Sequence, residues 1–269
     1  YYLKKLEDGL SPNSIHKHHA LIHTALKKAL KLEYVQKNVA ELADTPKRAK
    51  KNTPAPYNEA ELIQLLNVFR EDVLFYVVTF AVLFGLRRSE ILGLRWDRID
   101  LTKGILQIDT TALRCMENGR VTTKICDTTK TETSCREFQL TEKEIALFRD
   151  LKERQAEYQR FFKKEYSKEY ADFVFLDEKG VLLQPDYVTH HFKRVLRKNN
   201  LREIRFHDLR HSCATFLLYS DFNLKDIQEW LGHAQYQFTA DTYIHADKSM
   251  KRKMAERMDH LLPDVSCGC

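Results

Sequence analysis

Residues 207–218 read HDLRHSCATFLL and residues 231–243 read LGHAQYQFTADTY, and these two stretches set what the rest of the chain has to hold in place. After His207, the apolar residues Ala214, Phe216, Leu217 and Leu218 have the length and spacing of a buried helix. His207 and Arg210 are three residues apart and share a face of it. An imidazole beside a guanidinium at a rigid helix start suits an oxyanion whose charge must be held while a proton moves. A second helix, from Leu224 to Leu231, stops at Gly232, a residue that readily takes the left-handed conformation after a helix end. His233 follows at that turn, and Tyr243 lies ten residues further on, near the start of the last helical stretch.

Upstream, residues 85–96 read GLRRSEILGLRW. Leu86, Ile91, Leu94 and Trp96 pack this segment inward and hold Arg87 and Glu90, three apart, on one side. Arg88 competes with Arg87 by adjacency. Beyond Trp96 the period changes to two, predicting strands at Ile105–Ile108 and Arg136–Leu140. Between them Asn118-Gly119 is a strong hairpin turn, in an excursion from about Leu113 to Asp127 that precedes Thr129-Lys130-Thr131. We expect this hairpin to touch a polyanion or a neighbouring protomer.

The strings HDLRH, LGH and TADTYIH, in that order and spacing, resemble the C-terminal signature of the tyrosine recombinases, or phage integrase family. GLRRSEILGLRW is similar to the first arginine box of that family, and TKTETSCREF (129–138) looks like its lysine-bearing turn. The resemblance implies a mainly α fold with a small antiparallel β-sheet: a catalytic domain at 57–246, preceded by part of a helical core-binding domain at 1–43 and a basic linker at 44–56. Residues 247–269 would form a C-terminal helix and tail that can dock on an adjacent protomer. It also implies a site-specific DNA recombinase of the integrase or transposase type, in which Tyr243 forms a 3′-phosphotyrosyl intermediate. Arg87 and Arg210 would hold the phosphate, His207 the tyrosyl proton, Lys130 the leaving 5′-oxygen and His233 a phosphate oxygen, with Glu90 in support. No cofactor and no metal are implied. The implied partners are double-stranded DNA attachment sites, further protomers in a dimer or tetramer on DNA, and an accessory directionality protein; a mobile-element integrase is the preferred role. A type IB topoisomerase shares this chemistry, and a non-catalytic DNA-binding module would dispense with Tyr243. A metal-dependent nuclease would need more clustered carboxylates than Asp208 and Glu90.

Composition agrees with a polyanion partner. Among 269 residues with net charge +6, residues 1–56 carry eleven Lys or Arg against five Asp or Glu, so the whole positive excess lies there. Ser11-Pro12 predicts the start of a helix running to about Glu33, on which His16, Lys17, His18, His19 and His23 crowd together; four histidines without a thiolate or acidic partner point to surface or phosphate-facing positions. Residues 44–56, DTPKRAKKNTPAP, form an extended basic linker whose Lys47, Arg48, Lys50 and Lys51 suit a phosphate backbone, a role His16 and Lys17 would share. A later helix from Pro185 to about Asn199 offers Arg194 and Arg197 for the same purpose, with a solvated face as the competing reading.

Further capping boxes at Asn58/Glu61 and Thr141/Glu144 start two more helices, and Val73 to Phe84 reads as a buried one. Lys248 to Leu262 reads as an amphipathic helix. No apolar run approaches the roughly 18 residues of a membrane span. The six cysteines show no paired C-x-x-C spacing. With no signal-peptide pattern and no leading Met, we expect a cytoplasmic, reduced protein that is a fragment or processed form, with no membrane partner.

Overall fold

The computed structural model describes residues 1–48, 54–117, 119–127 and 135–232. The chain divides into two compact units, Tyr1–Thr53 and Pro54–Cys269. The first contains α1 (Tyr2–Glu7) and α2 (Pro12–Lys31), followed by a short 3-10 turn at Val39–Leu42. Ser11 caps α2 by accepting a hydrogen bond from Ser14 N, and Pro12 occupies the first turn, where a missing N–H costs nothing. The helix ends at Lys31, two residues before the expected point, and Glu33 then takes a positive φ of 60°.

In the second unit, α3 (Glu59–Phe69) opens on a complete capping box. Asn58 Oδ1 accepts from Glu61 N at 2.9 Å, and Glu61 Oε2 accepts from Asn58 N at 2.9 Å. The next helix, α4 (Phe75–Leu83), is apolar on every side, which fits its position at the centre of the core. Rings carry that core outward: Phe80 stacks on Phe148 at 4.5 Å, Phe84 meets Phe138 at 5.0 Å, and Phe138 meets Trp230 edge-on at 4.8 Å. After the short α5 (Arg88–Leu92), strands β1 (Ile99–Asp100), β2 (Ile105–Ile108) and β5 (Arg136–Gln139) make an antiparallel sheet in the order β1-β2-β5. Leu106 pairs with Phe138 in its register.

The predicted hairpin is present as β3 (Thr110–Glu117) and β4 (Arg120–Asp127), with Gly119 at φ 76°. It begins three residues earlier than expected because the register carries the pairing back to Thr110 opposite Asp127, and Thr110 Oγ1 donates to Gly93 O at 2.6 Å. Gly93 permits that approach, since a Cβ there would lie 2.7 Å from the backbone of Thr111. The remaining helices are α6 (Glu142–Phe162), α7 (Pro185–Lys198), α8 (Asp208–Tyr219) and α9 (Leu224–Leu231). The fold is therefore mainly α with a small antiparallel sheet, and among the described residues no helix is long and apolar enough to cross a membrane.

Candidate active site

The site is built where the turn before α5 meets the start of α8 and the end of α9. Gly85, at φ 59°, lies so close to α9 that a Cβ would fall 2.3 Å from Leu231 Cδ2. Buried Leu86 then anchors the chain, and Arg87 takes the residue before the first turn of α5. Glu90 reaches back to it twice, accepting from Arg87 N at 2.7 Å and from Arg87 Nη1 at 2.6 Å. The other arm of the guanidinium, Nη2, donates to Gly232 O at 3.3 Å, while 38% of the side chain stays open to solvent.

Arg88 goes elsewhere. Its Nη1 donates to Pro185 O at 2.9 Å and to Thr189 Oγ1, which ties α5 to α7. Of the two adjacent arginines, Arg88 is thus bonded to α7, and Arg87 to Glu90 and Gly232.

Arg210 projects inward from α8 and is 2% exposed. Its Nη1 donates to Gly85 O at 2.7 Å and its Nη2 to Leu231 O at 2.5 Å, so one guanidinium joins the two backbone segments that flank Arg87. Burial, and then the charge of Arg87, lower its pKa to about 9, which leaves it a cation at neutral pH. His207 stands at the residue before α8, with its ring edge-on to His211 at 5.4 Å. One edge of His207 is exposed; packing around the rest of the ring, then the neighbouring His211 and Arg210, lower its pKa to about 4. At neutral pH it is an uncharged imidazole that can accept a proton. Asp208 braces this turn: its buried carboxylate accepts from Arg205 N at 2.8 Å and Arg205 Nη2 at 2.7 Å.

Glu90, 5% exposed, has a second cationic partner that its sequence neighbourhood does not reveal. Arg136, 46 residues away on β5, donates Nη2 to Oε2 at 2.8 Å and Nη1 to Oε1 at 3.2 Å. Burial opposes the Glu90 charge, but Arg136 and then Arg87 outweigh it and hold the carboxyl at about 2. Three guanidinium groups, those of Arg87, Arg136 and Arg210, therefore interact with one carboxylate, and the surplus of positive charge favours an anion. Arg136 was readable in one respect: it has the same strand parity as buried Phe138, so an arginine stands on the core-facing side of β5.

Gly232 closes α9 in the left-handed conformation, φ 65° and ψ 53°, as expected, and His233 is the next residue in sequence. His233, Lys130 and Tyr243 lie outside the described residues, as do Lys50, Lys51 and the stretch 248–262. Lys17, Lys47 and Arg48 are exposed. His16 has its Nε2 on Pro46 O at 2.7 Å, and His18 and His19 share hydrogen bonds with the hydroxyls of Tyr1 and Tyr2, so one nitrogen of each ring has a partner within its own unit. Arg197 is bidentate with Glu203, at 2.9 and 3.0 Å, and Arg194 Nη2 meets His191 Nδ1 at 2.6 Å; both arginines remain at the surface, where such pairs exchange readily. Cys213 is buried with its thiol pushed up to about 12, the state of a packing residue. Among the described residues no group of three His, Cys, Asp or Glu is placed to hold a metal ion.

Comparison with known proteins places these features in context. Residues 58–250 match the model of the phage integrase family. The ICEBs1 integrase of Bacillus subtilis is 27% identical over 263 residues, covering 96% of this chain and 68% of that protein. A XerC-like tyrosine recombinase of Caldanaerobacter subterraneus is 24% identical over 271 residues, covering 97% and 69%. The Tn1549 transposon integrase, solved in complex with a circular intermediate DNA, shares the fold with a TM-score of 0.77 at 22% identity, over 96% of this chain and 83% of that one.

Proposed function

The chain belongs to the phage integrase family, the tyrosine recombinases that cleave and rejoin DNA strands site-specifically, and from that premise we propose how its residues divide the work. Tyr243 attacks the scissile phosphorus, giving a 3′-phosphotyrosyl link and a free 5′-hydroxyl. The 5′-hydroxyl of a partner strand then reverses the step, so bond energy is kept and no nucleotide is consumed. Arg87 and Arg210 hold the two non-bridging oxygens, where each charge-assisted contact strengthens as negative charge builds in the pentacoordinate state. Neutral His207 takes the tyrosyl proton, Lys130 protonates the departing 5′-oxygen, and His233 donates to the phosphate. Glu90 holds Arg87 by two hydrogen bonds.

The observation that carries this reading is the tethering of Arg87 and Arg210 to the backbone at Gly232, Gly85 and Leu231, with Arg88 turned away to α7. Both guanidiniums are then pre-positioned, which is what electrostatic catalysis of phosphoryl transfer requires.

The substrate is duplex DNA carrying attachment sites, with the exposed Lys17, Lys47, Arg48, Arg194 and Arg197, together with Lys50 and Lys51, as backbone contacts. Exchange between two duplexes needs four cleavages with one tyrosine each, so the working form is a tetramer assembled from dimers on DNA. We assign residues 1–43 to DNA gripping, 44–56 to a basic linker, 57–246 to catalysis and 247–269 to contacts between protomers, within a cytoplasmic integrase of a mobile element. The polarity of the covalent link tests the chemistry. A cleaved duplex labelled at its 5′ end should leave the label on the protein, and the released fragment should accept phosphate at its new 5′-hydroxyl. Protein linked to the 3′-labelled fragment would overturn it.

A further inference from the structure

Arg136 is assigned neither to the phosphate nor to proton transfer, yet both arms of its guanidinium are engaged with Glu90. Its side chain is 7% exposed, and both Nη atoms are committed to the two oxygens of Glu90. The guanidinium lies over the Phe138 ring at 5.6 Å, and Phe138 packs edge-on against Trp230 of α9. It also fills the space beside Gly232: a Cβ on that residue would lie 2.8 Å from Arg136 Nη1 and 3.2 Å from its Cδ. Gly232 O in turn accepts from Arg87 Nη2. One buried side chain thus contacts both the carboxylate that holds Arg87 and the backbone turn to which Arg87 is tethered.

We propose that Arg136 is a positioning residue for strand cleavage, locking Glu90 from inside so that Arg87 keeps its outer face for the scissile phosphate. The proposal rests on the recombinase reading above and deepens it. Glu90 is bordered by Arg87 on its own segment, Arg136 from β5 and Arg210 from α8. With Arg136 present, its carboxylate is satisfied from the buried side and Arg87 contributes one Nη arm, leaving Nη2 on Gly232 O. Without Arg136 a buried carboxylate has to be met from one side alone. It either draws the Arg87 guanidinium fully onto itself, away from the phosphate, or takes up a proton and releases Arg87. In both cases the cleavage step suffers and the affinity for DNA, set by many backbone contacts elsewhere, does not.

The test uses the whole chain and a nicked suicide duplex drawn from DNA flanking its gene, with single-turnover cleavage measured at saturating DNA and binding measured by band shift. For Arg136→Gln we expect cleavage slowed about 10- to 100-fold, the scale for losing a group that orients another, with Kd changed less than about threefold. Cleavage by this variant should also fall as pH is lowered from 7 to 5, because Glu90 now protonates there; the double variant Arg136→Gln, Glu90→Gln should lack that acid limb. If Arg136→Gln does not fold, Arg136→Lys is read instead. It keeps the charge but cannot bond both oxygens at once, and we expect a loss of about threefold or more at unchanged Kd. A folded variant that cleaves at the wild-type rate, or one whose defect lies in Kd alone, overturns the proposal. A wild-type protein that binds the duplex but forms no adduct would instead remove the recombinase reading, and this inference with it.

Discussion

Replacing Glu90 with Gln is the sharpest perturbation of the site's electrostatics. The carboxylate accepts four hydrogen bonds: Oε1 from Arg87 Nη1 and Arg136 Nη1, Oε2 from Arg87 N and Arg136 Nη2. An amide has one oxygen, so whichever position its nitrogen takes, two donors face a donor. The cost also includes leaving the largely buried cation Arg136 without a counter-charge, and breaking a buried pair from one side typically costs about 3–5 kcal/mol. Linkage gives an independent figure. Lowering the carboxyl from its ordinary 4.5 to about 2 corresponds to about 3 kcal/mol at neutral pH. The sign follows from the depressed value: this stability is fully present above pH 4.5 and is lost as pH falls through about 2. For a unit of this size a loss of about 3 kcal/mol lowers Tm by about 6–12 °C at pH 7. Thermal unfolding of wild type and Glu90→Gln, followed by circular dichroism at pH 7 and again at pH 3, measures both the gap and its narrowing in acid. A Tm at pH 7 within about 2 °C of wild type would refute the buried-anchor account of Glu90.

Other consequences are equally direct. Arg87→Ala should slow cleavage by about 10²–10³ with band-shift affinity retained, whereas Arg88→Ala, which cuts the α5–α7 tie, should cost stability and leave the cleavage rate of the folded protein within a few-fold of wild type; equal kinetic losses would contradict the assignment. Gly232→Ala places a side chain at φ 65° against Arg136 and should destabilise by about 1–2 kcal/mol from the backbone alone, read as a lowered urea midpoint. Because His207 is neutral down to about pH 4, its contribution to single-turnover cleavage should stay flat through pH 6.5, and a midpoint near 6.5 that Arg136 and Glu90 variants leave unmoved would count against it as the proton acceptor.

Much of the fold was legible because its punctuation is local. Asn58 and Thr141 start helices through bonds within a few residues, Pro12 and Pro185 fit the first turn of theirs, Gly232 ends one in the left-handed conformation, and Gly119 turns a hairpin at positive φ. What escaped the sequence depends on distant partners. Choosing between Arg87 and Arg88 needs the position of α7, about a hundred residues away, and the importance of Arg136 appears only when β5 is laid beside α5. Likewise, the bonds of His16, His18 and His19 to Pro46, Tyr1 and Tyr2 join residues 17 to 30 positions apart and have no local signal. Strand parity is the one local hint that an arginine on β5 points into the protein.

The central claim, covalent strand cleavage by a tyrosine within this guanidinium cluster, is tested most directly on a denaturing gel. The full chain is incubated, in chelator, with a nicked suicide duplex drawn from DNA flanking its gene, beside the Tyr243→Phe variant. A protein–DNA adduct should form with wild type and be abolished by Tyr243→Phe while the band shift remains. An adduct that persists in Tyr243→Phe, or none with wild type despite clear binding of the same duplex, would contradict that claim.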